Sequence, residues 1–205
     1  MLVSFIIPTY NQAEFLIEAL DSISAQQLER GSFEVLVFDG GSTDGTFDIL
    51  SSHPLIDHFS SAADKGQSDG INKGFKQARG EIIAWLNSDD AYLPRAIHSV
   101  IEVFNKRPEV DLVYGHSIDI DVYGNQIGNA EVLPWSKEAL TDSCIISQPA
   151  CFFRQSFIER NGLLREDLHL TMDYEYWLRA SGWANFFYLP QPLALNRVHP
   201  RAKSF

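Results

Sequence analysis

Apolar and polar positions alternate along the first half of this chain in a repeated order: a short apolar run, a polar turn, then a segment with helical spacing. Leu2–Pro8 is followed by Gln12–Gln26, Phe33–Asp39 by Thr46–Ser52, and Glu81–Leu86 by Pro94–Lys106. In the first helical segment Phe15, Leu16, Ala19, Leu20 and Ile23 fall on one face, and Asn11 is placed to cap it. Runs rich in Val, Ile and Phe that alternate with amphipathic helices predict a mainly parallel sheet with helices on both sides, an α/β architecture. After Asp111 the order changes. Asp111–Ile118, Ile120–Ile127 and Ser147–Phe153 read as strands, with turns at Gly115 and Tyr123-Gly124-Asn125. A helix is expected to start near Asp173 and stop at Gly182, and "ANFFYLP" and "PLALNRV" read as two closing strands. No low-complexity linker, repeat or disordered tract separates the halves, so residues 1–205 read as one domain, with a smaller second lobe from 111 to 205 beside the half formed by 1–110.

In open sheets of this type ligands bind where loops leave the carboxyl ends of the strands. Pro8-Thr9-Tyr10-Asn11, Asp39–Gly45 and Asn87-Ser88-Asp89-Asp90 are the loops in question, all three polar, and they should meet in one cleft. The last of them ends an apolar run, "IIAWL", in two adjacent carboxylates that repel each other unless a positive charge stands near.

Composition narrows the candidates. The chain carries 16 Lys+Arg against 27 Asp+Glu, a formal charge of −11, which argues against a nucleic-acid surface and leaves any phosphorylated ligand in need of a local cation. Val3–Pro8 and Ile82–Leu86, the longest apolar stretches, fall far short of the roughly 20 residues of a membrane-spanning helix. The opening apolar run lacks a basic leader and reads as a first strand, so the expected location is the cytoplasm, with contact at the inner face of the membrane allowed. Cys144 and Cys151, among apolar neighbours, read as core thiols.

The glycines of "DGGSTDGT" do not make a dinucleotide fingerprint, which belongs after the first strand, where Pro-Thr-Tyr-Asn stands instead. Nor do they make a calcium loop, because Leu50 occupies the place of the bidentate Glu. No P-loop Lys is present, and Ser42, two residues before Asp44, stands where a phosphohydrolase with an aspartyl nucleophile would need a carboxylate. Two readings of this loop remain. Asp39 accepts hydrogen bonds from a base or ribose, or Asp39 and Asp44 satisfy backbone amides of a turn. Asn87–Asp90 is open in the same way: its oxygens suit Mg²⁺ or Mn²⁺ completed by substrate phosphates, or they compensate the dipole of the helix announced by Pro94.

The ordered motifs "FIIPTYNQAEFLIEALDSI", "EVLVFDGGSTDGT", "DKGQSDGINKGFKQARGEIIAWLNSDD" and "TMDYEYWLRA" together resemble the family 2 glycosyltransferases, which have the GT-A nucleotide-diphospho-sugar transferase fold with its Rossmann-like sheet. The resemblance covers nearly the whole chain. It implies transfer of a sugar, with inversion, from a UDP-, GDP- or dTDP-sugar to a hydroxyl of a glycan or lipid-linked acceptor, assisted by Mn²⁺ or Mg²⁺. By position it implies that Pro8, Thr9 and Tyr10 flank the base and that Asp39 reads base or ribose. Asp64, Lys65, Gly66 and Asp69 then line the diphosphate-sugar side. Asn87-Ser88-Asp89 takes the place of the family's D-x-D motif, with Asp89 as metal ligand, Ser88 beside it, and Asn87 a neutral group on the ribose side where the family more often has Asp.

The resemblance also implies a catalytic base at the Glu-Asp pair that opens a helix in the second lobe. Met172-Asp173 stands there, so Asp173 is the expected base, and its place at a helix start should favour the ionised form. His199 resembles a C-terminal histidine that completes the metal shell, and Ser147-Gln148-Pro149 corresponds to the acceptor side. Trp177 reads as a core residue of its helix, the other option being a ring stacked on a sugar. A nucleotidyltransferase of related fold should carry a basic Gly-rich loop after the first strand, which "PTYNQ" is not; a non-catalytic nucleotide-sugar-binding module is the remaining alternative.

Overall fold

The computed structural model describes residues 1–202. One nine-stranded sheet runs through both halves of the chain. Its parallel part contains β1 (Val3–Thr9), β2 (Phe33–Asp39), β3 (His58–Ser61) and β4 (Ile82–Trp85), in the order β3-β2-β1-β4. β1 and β2 are buried at every position, as expected of strands covered on both faces. Side chains alternate between two cores. On one face Phe5, Ile7, Val35 and Val37 pack with Leu16, Ala19 and Leu20 of α1 (Ala13–Ser24). On the other, Ile6, Leu36, Phe38 and Trp85 pack with Ile71 and Phe75 of a helix over Gln67–Gln77.

Register fixes where the loops emerge. Thr9 pairs with Asp39, Asp39 with Ser61, and Ile6 with Trp85, so the four parallel strands end at one edge and release their loops there. Beyond β4 the remaining strands are β5 (Ala91–Tyr92), β6 (Leu112–Ile120), β7 (Gln126–Asn129), β8 (Cys151–Arg154) and β9 (Phe186–Arg197). β8 is antiparallel to β4 and β6, which joins the second lobe to the first, and β9 lies parallel to β6. The other helices in chain order are α2 (Thr46–Ser52), α3 (the Gln67–Gln77 helix), α4 (Ala96–Lys106), α5 (Lys137–Asp142), α6 (Gln155–Asn161) and α7 (Met172–Ala180).

Several expectations are corrected. "ANFFYLP" and "PLALNRV" form one strand, β9, whose Pro190 and Pro192 lie where its register against β6 shifts, a place where a missing N–H breaks no regular ladder. Gly115 stays inside β6 and makes no turn. The strand expected over Ile120–Ile127 is a hairpin instead, because the Asp121 carboxylate accepts the amides of Tyr123 and Asn125 and reverses the chain. Residues 148–150 form a 3-10 turn around Pro149 before β8 begins. Asn11 is not the cap of α1; it adopts φ +51°, Gln12 precedes the helix, and the Asp44 carboxylate takes the Ala13 amide at 3.0 Å. Cys151 is buried, but Cys144 is exposed and is not a core thiol. The apolar pattern does not predict β3, β5, α3, α5 or α6. α3 escapes periodicity because Gly70 and Gly74 lie on its buried face; a Cβ at Gly74 would stand 2.3 Å from the Ile6 side chain, so only glycine lets this helix lie on the sheet. Among the described residues no helix is long and apolar enough to cross a membrane.

Candidate active site

The loops at the carboxyl edge wall a cleft of about 790 Å³, closed on the far side by residues 147–149, the start of α7 and the end of β9. Pro8, Thr9, Tyr10, Asp64, Gly66, Asn87, Asp89 and Asp173 all line it, so residues 165 positions apart in sequence meet as expected. Tyr10 projects at the mouth, and the Thr9 hydroxyl is buried with no partner among the described residues. Asp39, Lys65, Asp69, Ser88 and His199 are not among the residues that line it.

What those five do is specific. The Asp39 carboxylate is held by the Ser42 amide at 3.1–3.2 Å and by the hydroxyls of Ser42 and Ser61. Lys65 is exposed and pairs with Glu166 at 3.5 Å. Asp69 pairs with Lys73 at 3.0 Å; burial pushes its carboxyl up, but the Lys73 ammonium and the Lys65 amide together hold it below the usual range. Asp44 is likewise pushed up by burial and brought net lower by the Thr46 hydroxyl and the Ala13 and Thr46 amides. It thus ties the second loop to both α1 and α2. Asn11 completes the link, donating its amide to the Ser42 hydroxyl at 2.7 Å and accepting the Thr43 amide at 2.8 Å.

The loop after β4 is secured by hydrogen bonds that include two residues given no role by the sequence reading, Gln12 and Gln67. Gln12 donates from Nε2 to Asp89 Oδ2 at 2.9 Å and accepts from the Ser88 hydroxyl. Asn87 is saturated: its Oδ1 accepts from Gln67 Nε2 (2.7 Å) and Trp85 Nε1 (3.0 Å), while its Nδ2 donates to Asp90 Oδ2 (3.1 Å) and Gln148 Oε1 (2.8 Å). A primary amide has two donors and two acceptor sites, and all four are in use. Gln148 also donates to the Trp85 carbonyl at 2.8 Å, so Asn87 links the donor side at α3 to the 147–149 side. An Asp at this position would supply no donor and would face Asp90. Asn87→Asp is therefore expected to destabilise the fold by about 1–3 kcal/mol in denaturant unfolding at neutral pH; a variant as stable as the parent would contradict this account of the loop.

The adjacent carboxylates are tolerated for two reasons. Asp90 is fully buried, and burial and the Asp89 charge push its carboxyl well above the usual range. Opposing them, Asp90 accepts the Arg197 amide at 3.0 Å and Asn87 Nδ2, and the Arg197 guanidinium lies close by. Asp89 Oδ1, in contrast, accepts no side-chain or backbone hydrogen bond among the described residues, and Asp89 lines the cleft. His199 lies beneath, with Nε2 at 3.0 Å from Asp89 Oδ2 and its ring against Phe15. The Arg201 amide approaches His199 Nδ1 at 3.3 Å, so the hydrogen-bond pattern assigns the ring proton to Nε2, which donates to Asp89.

This donor set fits a hard divalent ion that takes one or two protein ligands and leaves the rest of its shell to phosphate and water. Asp89, with one unpartnered carboxylate oxygen in the cleft, would be the first ligand of such an ion. His199 can serve as a second if its Nε2 proton moves, or can orient Asp89 as a hydrogen-bonded neighbour. Among the described residues no group of three or more His, Cys, Asp or Glu side chains is gathered to hold an ion without such help.

On the opposite wall Asp173 lies in the first turn of α7, after Thr171 as the N-terminal boundary, and its Oδ1 accepts the Tyr174 amide at 2.8 Å. The expected effect of the helix start is reversed: burial raises its carboxyl above the ordinary value, and the backbone amides only partly offset this. A base with a raised pKa is the stronger proton acceptor once ionised. Trp177, fully buried against Phe153 and Phe157, is a core residue.

A mixed sheet flanked by helices, with an acidic cleft at the carboxyl edge of its parallel strands, defines the GT-A class of nucleotide-sugar folds. The model for glycosyl transferase family 2 matches residues 4–163, and the chain belongs to that family. It is 31% identical over 202 residues to chondroitin synthase of Escherichia coli, covering 96% of this chain and 29% of that protein. It is 30% identical over 212 residues to an uncharacterised glycosyltransferase of Rickettsia typhi, covering 97% and 64%. The chain therefore spans less than two thirds of the length of these relatives. Among solved structures, the fold is shared with Staphylococcus aureus TarS in complex with UDP-GlcNAc (TM-score 0.82, 22% identity, 100% of this chain and 60% of that one). It is also shared with the mannosyltransferase PcManGT of Pyrobaculum calidifontis in complex with GDP-Man and Mn²⁺ (TM-score 0.74, 21% identity, 98% and 58%).

Proposed function

We propose that this chain transfers a sugar, with inversion, from a nucleotide-diphosphate sugar to an acceptor hydroxyl. The observation that carries the reading is the facing pair in one cleft: Asp89, with a free carboxylate oxygen, on the donor side, and Asp173, raised in basicity by burial, on the other. The relatives are named as glycosyltransferases, and two neighbours of the same fold were captured with UDP-GlcNAc and with GDP-Man and Mn²⁺.

In this reading Pro8, Thr9 and Tyr10, which line one end of the cleft, take the base. Asp64 and Gly66 bound the diphosphate-sugar side, with Asp64 packed on Gly40 so closely that a Cβ there would stand 3.2 Å from either carboxylate oxygen. Asp39 would read the base or ribose, Lys65 and Asp69 would extend the diphosphate-sugar side, and Ser88 secures the loop beside Asp89 through Gln12. Asp89, with His199 beside it, would hold Mn²⁺ or Mg²⁺, which when bound offsets the charge that develops on the leaving diphosphate. Asp173 removes the proton of the acceptor hydroxyl as its oxygen attacks the anomeric carbon from the face opposite the diphosphate. The acceptor, a glycan or lipid-linked sugar, enters past Gln148 and Pro149.

The stereochemistry tests this. With UDP-, GDP- and dTDP-sugars and Mn²⁺, NMR of the sugar first released to water or transferred to an added acceptor is expected to show the anomeric configuration opposite to that of the donor. Retention, or release of sugar 1-phosphate with transfer of the nucleotidyl group, would contradict it.

A further inference from the structure

Arg197 stands at the end of β9 with only 3% of its surface exposed, an unusual place for a guanidinium in a chain of this size. Its contacts explain the burial. Nε donates to the Asp89 carbonyl at 2.9 Å, Nη1 to the Asp121 carbonyl at 3.0 Å, and Nη2 to the Glu18 carboxylate, while the guanidinium lies 4.9 Å from the centre of the Phe15 ring. Its own backbone amide donates to Asp90 Oδ1 at 3.0 Å. One residue thus fastens four segments: α1, the loop after β4, the turn after β6, and β9. Two of its bonds fall on consecutive residues of the loop that carries the free Asp89 oxygen. We propose that Arg197 is a positioning residue that sets the orientation of Asp89 and with it the affinity of the cleft for a divalent ion.

The physical case rests on geometry and charge together. Asp89 and Asp90 are adjacent, both at least nine-tenths buried, and an ion-binding carboxylate must keep its charge while its neighbour is satisfied by the protein. Arg197 provides both conditions. Its amide takes one oxygen of Asp90, leaving Asn87 the other, and its guanidinium supplies fixed positive charge at the Asp89 carbonyl, where it cannot compete for the free carboxylate oxygen. Lys could deliver charge but not the forked geometry that reaches Asp89, Asp121 and Glu18 at once. Groups that hold a ligand from behind typically change metal affinity by about 10–100-fold when altered. Glu18, about half exposed on α1, holds the outer end of the guanidinium and should matter less.

The inference rests on the ion-binding reading above, and the test separates the two. Mn²⁺ is titrated into the full chain, alone and with UDP or GDP, following free Mn²⁺ by electron paramagnetic resonance and melting temperature in parallel. Arg197→Lys is expected to raise the Mn²⁺ midpoint about tenfold or more, and Glu18→Gln by a smaller factor, about threefold. A purely structural role would lower the melting temperature and leave the midpoint where it was. An Arg197→Lys protein with the parent's midpoint overturns the inference, and if that variant does not fold, an unchanged midpoint in Glu18→Gln overturns it. A parent that binds nucleotide but takes up no Mn²⁺ overturns the ion-binding reading itself, and this inference with it.

Discussion

Asp173→Asn is expected to lower turnover by about 10²–10⁴-fold, the range that a positioned general base contributes, while the variant folds as well as its parent. The two effects separate because of what Asp173 does locally. Its Oδ1 accepts the Tyr174 amide, and an Asn side chain keeps an acceptor at the same place. Burial raises its carboxyl above the unfolded value, so ionisation of Asp173 costs folding stability at pH above its folded pKa, and the neutral amide removes that cost. The melting temperature of Asp173→Asn at neutral pH should match or exceed that of the parent. The same shift has a kinetic signature. A base must be ionised, so the acid limb of the rate profile should fall at a pH above the ordinary Asp range and should be missing from any residual activity of Asp173→Asn. Near-normal turnover in this variant would remove Asp173 from the role.

Asp89→Asn is expected to abolish ion-dependent nucleotide binding and to reduce turnover by about 10²–10³-fold, as loss of several kcal/mol of charge stabilisation at the leaving group implies. Asn keeps the shape and can still accept from Gln12 Nε2. It also removes the like charge beside Asp90, whose carboxyl should then return toward its ordinary value, so stability should not suffer. An unfolded Asp89→Asn protein would mean that Asp89 is chiefly a structural partner of His199 and Gln12.

The parallel half of the fold could be read from the chain because apolar runs and one-sided helices say directly which surfaces face each other. Phe15, Leu16, Ala19, Leu20 and Ile23 are all buried, and β1, β2 and β4 end where their polar loops begin. α3 is hidden from periodicity because its buried face carries Gly70 and Gly74, the second required by close packing on Ile6, where periodicity would look for Leu or Ile. β9 was divided at its prolines, which only the register shift against β6 makes acceptable. In the site, the residues at strand ends were legible, and their convergence followed from topology. Gln12, Gln67 and Arg197 were not, since amides and guanidinium groups look like surface residues until their partners, up to 179 positions away, are placed beside them. For Asp39, Lys65 and Asp69 the motif gives the neighbourhood, while their partners Ser61, Glu166 and Lys73 appear only in the fold.

The central claim is that the cleft takes a nucleoside diphosphate through an ion held at Asp89. Thermal-shift measurements on the parent chain and Asp89→Asn, with UDP, GDP, dTDP and their sugars, each with and without Mn²⁺, test it most directly. The account predicts stabilisation of the parent by at least one nucleotide, by about 2.7 kcal/mol at a ligand concentration 100 times its dissociation constant, strongly enhanced by Mn²⁺ and without that enhancement in Asp89→Asn. No Mn²⁺-dependent shift of the parent with any nucleotide, or an equal shift in both proteins, would contradict it.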